Sequence, residues 1–502
     1  MSQLFEQLVP YLEKHMALQT ALALLDWDDA TLAPKEAGEY TAKVIGILSE
    51  EDFLCLTNPQ VKKILEDYES KTEETKEQEE TEQAIIRKIK KNLRKTEAIP
   101  KEEKRAYAEL KSKSQKAWQR AKKENDFSIF ALYLKEVIAY CKKFASYGAT
   151  EKLNGYDVLL DDYEEDFSVE VLDVFFEKLK AGILPLLRKI QKKPQIEDSF
   201  LYQKYDIEKQ KEFNRFLAEY IGFDLNRGVI AESEHPFTTA WHNHDVRITT
   251  HYYEENLAGA IFSTIHESGH AIYEQGIADR YTQTVLGEGA SCGIHESQSR
   301  LMENMIGRSR AFWVPIYGKL VETFPEQLGE VSLDQFVAAI NRVRADEIRT
   351  EADELTYCLH IMVRYELEKL MINGEVEVEE LPRLWKEKYQ EYLGVVPEND
   401  TVGILQDVHW SMGDIGYFPS YALGNAFAAQ IYAKMKSEMD VEAELSKGNI
   451  GAVREFLHRY VHQYGAFKEA REILKEATGE EFNPDYFVGY LTEKYEKLYG
   501  IS

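Results

Sequence analysis

The spacing of apolar residues is helical along most of the chain. In the stretch 60–125, which is dense in Lys and Glu, apolar positions such as Ile85, Ile89 and Leu93 recur on one helix face. The charges between them are typical of solvated helix faces that carry i,i+4 ion pairs. More apolar patterns predict further helices at three places, namely 127–147, 169–191 and 206–221.

The pattern changes near Pro236. Residues 235–256 are rich in Thr, His and aromatic side chains, and the alternation within 245–253 predicts a β-strand. A turn or a second short strand is expected at 281–290, and helical spacing resumes from about 291. The chain is therefore predicted to be mainly α, with a small sheet in the middle of one compact body.

Composition and charge narrow the class of protein. Of 502 residues, 44% are hydrophobic and 30% are charged, which is ordinary for a globular protein. The formal net charge of −27 argues against a nucleic-acid binder, which would carry a basic surface. The four cysteines form no CxxC pair, which is typical of reduced thiols. Because Glu6 and Glu13 interrupt the N-terminal apolar pattern and no apolar run matches a membrane span, we expect a cytoplasmic protein.

Candidate chemistry centres on the motif HESGH at 266–270. Its apolar neighbours predict a buried helix, which places His266 and His270 one turn apart on the same face. Two imidazole nitrogens at that separation suit one tetrahedral zinc ion. Glu267 lies beside the first ligand, where it can take a proton from zinc-activated water. The motif predicts a zinc-dependent peptidase, and its alternative is a pair of structural core histidines.

The third metal ligand has to come from another part of the chain. No further histidine follows at the metzincin spacing, so an acidic residue is expected. The candidates are Glu274, Glu288, Glu296 and Glu303. Glu274 lies on the same helix, where three collinear ligands cannot surround a tetrahedral ion. We favour Glu296, whose helix can fold back against the first, and its alternative role is an ion pair with Arg300 at i+4.

Five more motifs accompany HESGH. In chain order they are HPF at 235–237, DVRIT at 245–249, HESQ at 295–298, IRTEAD at 348–353 and GILQDVHW at 403–410. Together the six resemble the motifs of the thermostable carboxypeptidase family, also called the carboxypeptidase Taq family of metallopeptidases. The pattern around Asp26-Trp27-Asp28 and the length agree, so the resemblance covers the whole chain.

The resemblance implies a fold and an activity. The fold would be similar to neurolysin and angiotensin-converting enzyme, with two helical lobes flanking a long substrate groove and a small sheet beside the metal. The activity would be that of a cytoplasmic, zinc- or cobalt-dependent homodimer that removes single residues from free peptide C-termini with broad preference. One catalytic domain would occupy 1–502, with N-terminal helices to about 230, the metal and substrate region at about 231–425, and C-terminal helices at about 426–502.

The resemblance also assigns roles to residues. His266, His270 and Glu296 become the metal ligands, and Glu267 becomes the general base and proton shuttle. Arg349 becomes the residue that binds the C-terminal carboxylate of the substrate, because a planar guanidinium matches two carboxylate oxygens. Taken without the resemblance, the acidic neighbours of Arg349 favour a structural ion pair.

Further candidates lie in the same motifs or shortly after the last of them. Arg247 is expected either to contact the substrate or to pair with Asp245, and His235 is expected to shape the substrate groove. Three candidate groups for stabilising the oxyanion of the transition state are His409, Tyr417 and Tyr421. Three expected hydrogen-bond partners of the ligand histidines are His295, Asp353 and Asp407.

Two other functions stay open at this point. An oligo-endopeptidase on the same fold would use the same metal without needing a free C-terminus. A non-catalytic helical peptide-binding protein would need no working metal site, and the intact HESGH motif with Glu296 counts against it.

Overall fold

The helices of the N-terminal half precede the sheet. The computed structural model describes residues 2–34, 36–69, 77–97 and 99–501. Before the first strand the helices are α1 (Gln3–Thr31), α2 (Gly38–Thr57), α3 (Pro59–Glu69), α4 (Glu77–Glu97), α5 (Lys101–Glu124), α6 (Ser128–Gly148), α7 (Tyr156–Leu160), α8 (Val169–Ile190) and α9 (Ile207–Ile221). Helices α6, α8 and α9 confirm the three apolar helices predicted from the sequence.

A small sheet of three strands lies in the middle of the chain. Its strands are β1 (Gly228–Glu232), β2 (Thr238–His242) and β3 (Asp245–Thr250). Strand β3 is central, parallel to β1 and antiparallel to β2. Val246 and Ile248 of β3 are buried in a small cluster that includes Ala271, so the sheet packs directly against the helix that carries HESGH.

The helices of the C-terminal half follow the sheet. They are α10 (Leu257–Gly276), α11 (Cys292–Arg300), α12 (Arg310–Trp313), α13 (Tyr317–Thr323), α14 (Pro325–Leu328), α15 (Leu333–Ile340), α16 (Glu354–Asn373), α17 (Leu381–Tyr392), α18 (His409–Met412), α19 (Phe418–Glu438), α20 (Val441–Ser446), α21 (Ile450–Tyr460), α22 (Ala470–Thr478) and α23 (Asp485–Tyr499). Helix α11 continues into a π-helical segment at Leu301–Ile306. Short 3-10 helices lie at Ser199–Tyr202, Arg349–Glu351, Val378–Glu380 and His462–Phe467.

Local sequence explains where the site helices begin. Asn256 accepts a hydrogen bond from the backbone of Gly259 at the start of α10, and Ser291 does the same for Ile294 at the start of α11. Asp353 caps α16. Such side chains satisfy the free N–H groups of a first helical turn.

One local prediction was wrong in detail, and a second was borne out in one of its two alternatives. The strand predicted at 245–253 ends at Thr250, because the carbonyl of Tyr253 accepts a hydrogen bond from the Gln210 side chain instead of a strand neighbour. The 281–290 segment forms turns, which is the first of the two alternatives predicted for it. There, Thr284 and Gly287 donate within the segment, to Tyr281 and Thr284 respectively, so the backbone closes on itself.

The hydrophobic core includes residues from nearly the whole sequence. One connected cluster of buried side chains extends from Phe5 in α1 to Tyr499 in α23. Among the described residues, none of the helices has the combination of length and apolar content that a membrane span requires. The mainly helical fold with a small sheet is thus confirmed. The two lobes, the long groove and the similarity to neurolysin and angiotensin-converting enzyme stay predictions.

Candidate metal centre and active site

Helix α10 presents the two histidines of the motif to the same point. The rings of His266 and His270 have centroids 4.9 Å apart. Both side chains are mostly buried, with 18% and 14% of their surface exposed. The i,i+4 spacing therefore produces the shared face that the sequence predicts.

Glu296 of α11 completes this cluster. Its Oε2 atom lies 3.6 Å from His266 Nε2 and 3.4 Å from His270 Nε2. Within the described ranges, these three residues are the one group of three or more His, Cys, Asp or Glu side chains placed to share a metal ion. Of the four glutamates considered from sequence, Glu296 is the one that approaches the Nε2 atoms of both histidines.

Two glycines let the helices approach closely enough for this cluster to form. A Cβ atom on Gly269 would lie 2.7 Å from the Cα of Ser299 in α11. A Cβ atom on Gly424 of α19 would lie 2.6 Å from Cγ of Glu296. Helix α11 is therefore held between α10 and α19, with the third candidate ligand at the contact.

The outer nitrogens of both histidines have partners. Nδ1 of His266 lies 2.9 Å from Glu303, a carboxylate that Arg300 and Arg308 also contact. A carboxylate accepts the Nδ1 proton of His266, so Nε2 is left with its lone pair for a metal. The π-helical segment supplies Glu303, which the sequence offered only as an alternative ligand.

His270 has a longer chain of partners. Its Nδ1 lies 2.6 Å from Nδ1 of His295, whose Nε2 lies 2.7 Å from Glu274. Because His295 donates to the Glu274 carboxylate, its Nδ1 accepts the proton of His270, and Nε2 of His270 is again left free. The expected role of His295 agrees with this arrangement.

The same role was wrongly expected of Asp353 and Asp407. Asp353 accepts hydrogen bonds from the first backbone N–H groups of α16. Asp407 instead pairs with Arg349 and Arg364. The oxygens of Asp353 are used at the start of α16, and those of Asp407 are used by two guanidinium groups. Neither aspartate therefore orients a ligand histidine.

The electrostatics of the cluster favour a cation. Burial lowers the pKa of His270 to about 3, so this imidazole is neutral. Burial also opposes a charge on His266, but Glu296 and Glu303 outweigh it and raise the pKa of His266. Burial would raise the pKa of Glu296, yet Arg300 and the histidines hold it well below its ordinary value.

Glu296 makes the predicted ion pair with Arg300 and also faces the two histidines. Nε of Arg300 donates to Oε1 at 2.6 Å, while Oε2 faces the histidines. Zinc accepts one ionised carboxylate and two imidazoles with a free Nε2 lone pair as ligands in tetrahedral sites with one open position. The residues present therefore fit a catalytic zinc ion, and cobalt accepts the same nitrogen and oxygen donors.

Glu267 lies beside the cluster without joining it. Its carboxylate is buried and accepts a hydrogen bond from Thr238 Oγ1 of β2 at 2.6 Å. Burial raises the pKa of Glu267, which favours a group that accepts and returns a proton. Thr238, which the sequence did not single out, holds this carboxylate in position.

The predicted oxyanion donors form one aromatic group at α18 and the start of α19. The rings of His409 and Tyr417 stack at 5.5 Å, and those of Tyr417 and Tyr421 meet edge to face at 5.1 Å. The hydroxyl of Tyr421 lies 3.5 Å from Nε2 of His409. Burial lowers the pKa of His409 to about 4, so this imidazole is neutral.

Arg349 occupies a buried position with an acidic partner. Its Nε and Nη2 donate to Oδ1 of Asp407 at 3.0 and 2.8 Å, and Nη1 donates to the Tyr357 hydroxyl at 3.2 Å. The guanidinium also lies 5.2 Å from the centre of the Tyr421 ring. Arg349 therefore makes a structural ion pair, with Asp407 and not with its acidic neighbours in sequence, and it also lies close to the group of His409, Tyr417 and Tyr421. The sequence did not single out Arg364, the second partner of Asp407.

The last two predicted substrate residues lie at the sheet. Arg247 donates to both oxygens of Asp245, at 2.8 and 2.9 Å, and stacks on Trp241. This is the pairing given as its alternative role. His235 lies in the exposed link between β1 and β2, where its carbonyl accepts from Ser233.

A cavity is lined in part by His295, which contacts His270, and by Glu274, which contacts His295. It has a volume of about 690 Å³, which is within the range of small-ligand sites. Its lining includes His295, Glu274 and Cys292, together with Lys88 and Lys91 of α4. Lys88 pairs there with Glu288, so the fourth glutamate considered from sequence is a surface ion-pair partner.

Known proteins resemble the chain over nearly its whole length. The model of the carboxypeptidase Taq (M32) metallopeptidases matches residues 7–495. Carboxypeptidase 1 of Bacillus subtilis is 44% identical over 485 residues, covering 95% of each chain. Thermostable carboxypeptidase 1 of Thermus thermophilus is 36% identical over 99% of each chain. The crystal structure of an M32 carboxypeptidase from Deinococcus radiodurans is 33% identical, with a TM-score of 0.96 over 99% of this chain and 100% of that one.

Proposed function

The chain belongs to the carboxypeptidase Taq (M32) family of metallopeptidases, and from this premise we propose that it removes single residues from the free C-termini of peptides, with broad preference. The observation that carries the proposal is the convergence of Nε2 of His266, Nε2 of His270 and Oε2 of Glu296 beside the carboxylate of Glu267. A metallopeptidase needs these elements in one place, namely a metal site and an adjacent base.

Zinc is the metal that we propose, with cobalt able to replace it. His266, His270 and Glu296 would hold it, and Glu303 and His295 would keep the two imidazoles in the binding tautomer. A bound zinc ion would supply Lewis acidity toward water and the peptide carbonyl.

Glu267 is the proposed general base. Its carboxylate would accept a proton from the attacking water and pass it to the nitrogen of the leaving residue. The hydrogen bond from Thr238 fixes one oxygen, which keeps the other turned toward the substrate. Tyr421 and neutral His409 would donate to the oxyanion, and Tyr417 packs against both rings.

Arg349 is the proposed binding residue for the substrate C-terminus. It adjoins the Tyr421 ring of the oxyanion group and keeps N–H groups that no described residue accepts. Arg247 and His235 are proposed to shape the groove from the sheet side. The chain as a whole is proposed to be one catalytic domain, within the three regions given above.

The requirement for a free C-terminus tests the proposal. An N-blocked peptide with a free C-terminal carboxylate and its C-terminal amide differ in the one group that Arg349 would bind. We expect kcat/KM for the free acid to exceed that for the amide by about 100-fold or more, because a lost charged partner leaves Arg349 unpaired. Mass spectrometry of the products would show single C-terminal residues released in sequence.

Equal cleavage of acid and amide would favour the second candidate, an oligo-endopeptidase on the same fold. The cavity beside His295 is the observation in favour of that candidate, because it offers room on one side of the cluster. No hydrolysis of either peptide by the zinc-loaded protein would favour a peptide-binding protein.

Assembly and location complete the proposal. We propose a homodimer in the cytoplasm. The four cysteines are all free thiols, and three of them are buried, which is typical of proteins from a reducing compartment.

A further inference from the structure

Arg364 of α16 is a fully buried arginine, and each of its three side-chain nitrogens donates a hydrogen bond. Nε donates to Oδ2 of Asp407 at 2.7 Å, and Nη2 contacts the same oxygen at 2.5 Å. Nη2 also donates to Gln406 at 2.8 Å. Nη1 donates to the carbonyl of His360 and to the hydroxyl of Tyr389. A buried guanidinium that donates four hydrogen bonds and makes an ion-pair contact through Nη2 has a fixed position and cannot turn toward a ligand.

Asp407 joins this arginine to Arg349. Its two oxygens are divided between them, Oδ2 to Arg364 and Oδ1 to Arg349. Gln406 links the pair a second time, because its Oε1 accepts from Nη2 of Arg364 and from the backbone N–H of Arg349. Asp407 and Gln406 therefore orient Arg349, and Arg364 fixes the position of both.

Arg349 has donors left over, in contrast to Arg364. Three of its five N–H groups are used, on Asp407 and on the Tyr357 hydroxyl. The other two, one on each Nη, have no acceptor among the described residues, and the side chain is 9% exposed. Two N–H groups at the end of a guanidinium match the two oxygens of a carboxylate.

The charge of this group depends on Arg364. Arg349 and Asp407 alone would form a neutral pair, whereas two guanidinium groups and one carboxylate carry a net charge of +1. Burial would raise the pKa of Asp407, but Arg349 and Arg364 hold it well below its ordinary value, so the aspartate is ionised. Burial keeps the neighbouring His360 and His409 neutral by lowering the pKa of each. Among the described residues, Asp407 is the one carboxylate that pairs with Arg349 or Arg364, so the excess charge is not offset by a second carboxylate in contact with them.

We propose that Arg364 is a positioning residue for substrate recognition, which occupies Asp407 so that Arg349 keeps a positive charge and two free N–H groups for the terminal carboxylate. The proposal rests on the proposed function, because it needs a substrate with a free C-terminus. It assigns a role to a residue outside the six motifs.

Kinetics of Arg364→Met with the N-blocked free-acid peptide test this role. Methionine has a similar length and no charge, so Asp407 would neutralise Arg349. We expect KM to rise about 10- to 100-fold with kcat changed less than about threefold, because carboxylate binding is lost equally from the bound substrate and the transition state. Arg383→Met on α17, which removes an exposed arginine paired with Glu387, is the matched control and should leave KM unchanged.

A second variant separates charge from structure. In Arg364→Met/Asp407→Asn, Arg349 regains an uncompensated charge, so we expect KM to recover by about tenfold relative to the single variant. A structural role of Arg364 would give no recovery, and that result would overturn the proposal, as would a wild-type KM in folded Arg364→Met. If Arg364→Met does not fold, Arg364→Lys decides, since it keeps the charge. A KM within about fivefold of wild type supports the proposal, and a larger rise contradicts it.

The wild-type protein keeps the two proposals distinguishable. Equal cleavage of the free acid and the amide by the wild type would refute the proposed function before any variant is made. A preference for the acid that Arg364→Met leaves intact would refute only the role of Arg364.

Discussion

Glu267 offers a way to separate catalysis from metal binding at the scale of one residue. It lies between the two histidines in sequence, yet its carboxylate contacts Thr238 and not the cluster. We expect Glu267→Gln to lower kcat by about 100- to 10,000-fold, because an amide cannot accept the proton from water. Zinc content, measured by atomic absorption, should equal that of the wild type.

Glu288→Gln is the matched control for that substitution. Glu288 is exposed and paired with Lys88, so its loss of charge should leave kcat unchanged. Full activity in a zinc-loaded Glu267→Gln protein would contradict the proposed base.

Residues were predictable where chemistry and spacing coincide within one helix. His266 and His270 are one turn apart in any helix, so their shared face needs no tertiary information. Glu303 and Arg364 were not assigned their roles, since each depends on where another helix lies. For Arg247 the sequence allowed two roles, and the contact with Asp245 that the structure shows is the local one.

Gly424 of α19 allows close contact with α11, the helix that carries Glu296. A methyl group there would meet the side chain of Glu296 at 2.6 Å, inside the normal contact distance. We therefore expect Gly424→Ala to move α11 relative to α10 and to lower zinc affinity by about 10- to 100-fold. Competition with a chromophoric chelator measures this affinity, and circular dichroism should show the helices intact.

Gly489→Ala provides the comparison at the same scale. This glycine lies inside α23, and an added Cβ has nothing within 4 Å. Alanine there should keep wild-type zinc affinity and slightly stabilise the helix. Unchanged zinc affinity in Gly424→Ala would mean that α11 accommodates the methyl group without moving its ligand.

Elements with long periodic patterns were predictable, and their irregular parts were not. The spacing within 127–147 corresponds to α6 almost residue for residue. The pattern after 291 predicts helix but does not reveal that residues 301–306 have π-helical winding, because one wider turn hardly changes apolar spacing. That wider turn belongs to the segment that brings Glu303 to His266.

The whole molecule was predictable as one mainly helical body from the absence of linkers and repeats in its sequence. The larger of two buried clusters includes residues from Phe5 to Tyr499, and the single catalytic domain stays a prediction. Sequence patterns contain no information about how two sets of helices are oriented around a groove, because that depends on packing between distant segments. Whether two chains assemble depends on the exposed surface. Exposed apolar residues of α1 and α2 lead to a prediction about this assembly.

Helix α2 leaves an apolar face uncovered on the surface. Of the 20 residues of this helix, Gly38–Thr57, one is buried, namely Cys55. Tyr40, Val44 and Ile47 follow the i, i+4, i+7 spacing of one helix face and are 72%, 47% and 64% exposed. Leu32, at the end of α1, is 77% exposed. This apolar face, on which Lys43 lies over the Tyr40 ring, suits a second copy of the chain, since a two-fold axis pairs like with like.

The size and charge of this face lead to a prediction about assembly. A standard interface buries about 800 Å² per partner, which one face of a 20-residue helix with its neighbour can supply. We expect light scattering to give twice the mass of one chain for the wild type and a single mass for Ile47→Glu, because the substitution would bury two unpaired carboxylates at the axis. Leu132→Glu, at a 69% exposed position of α6, should stay dimeric. A dimer that survives Ile47→Glu would place the interface elsewhere, and a monomeric wild type would refute the proposed homodimer itself.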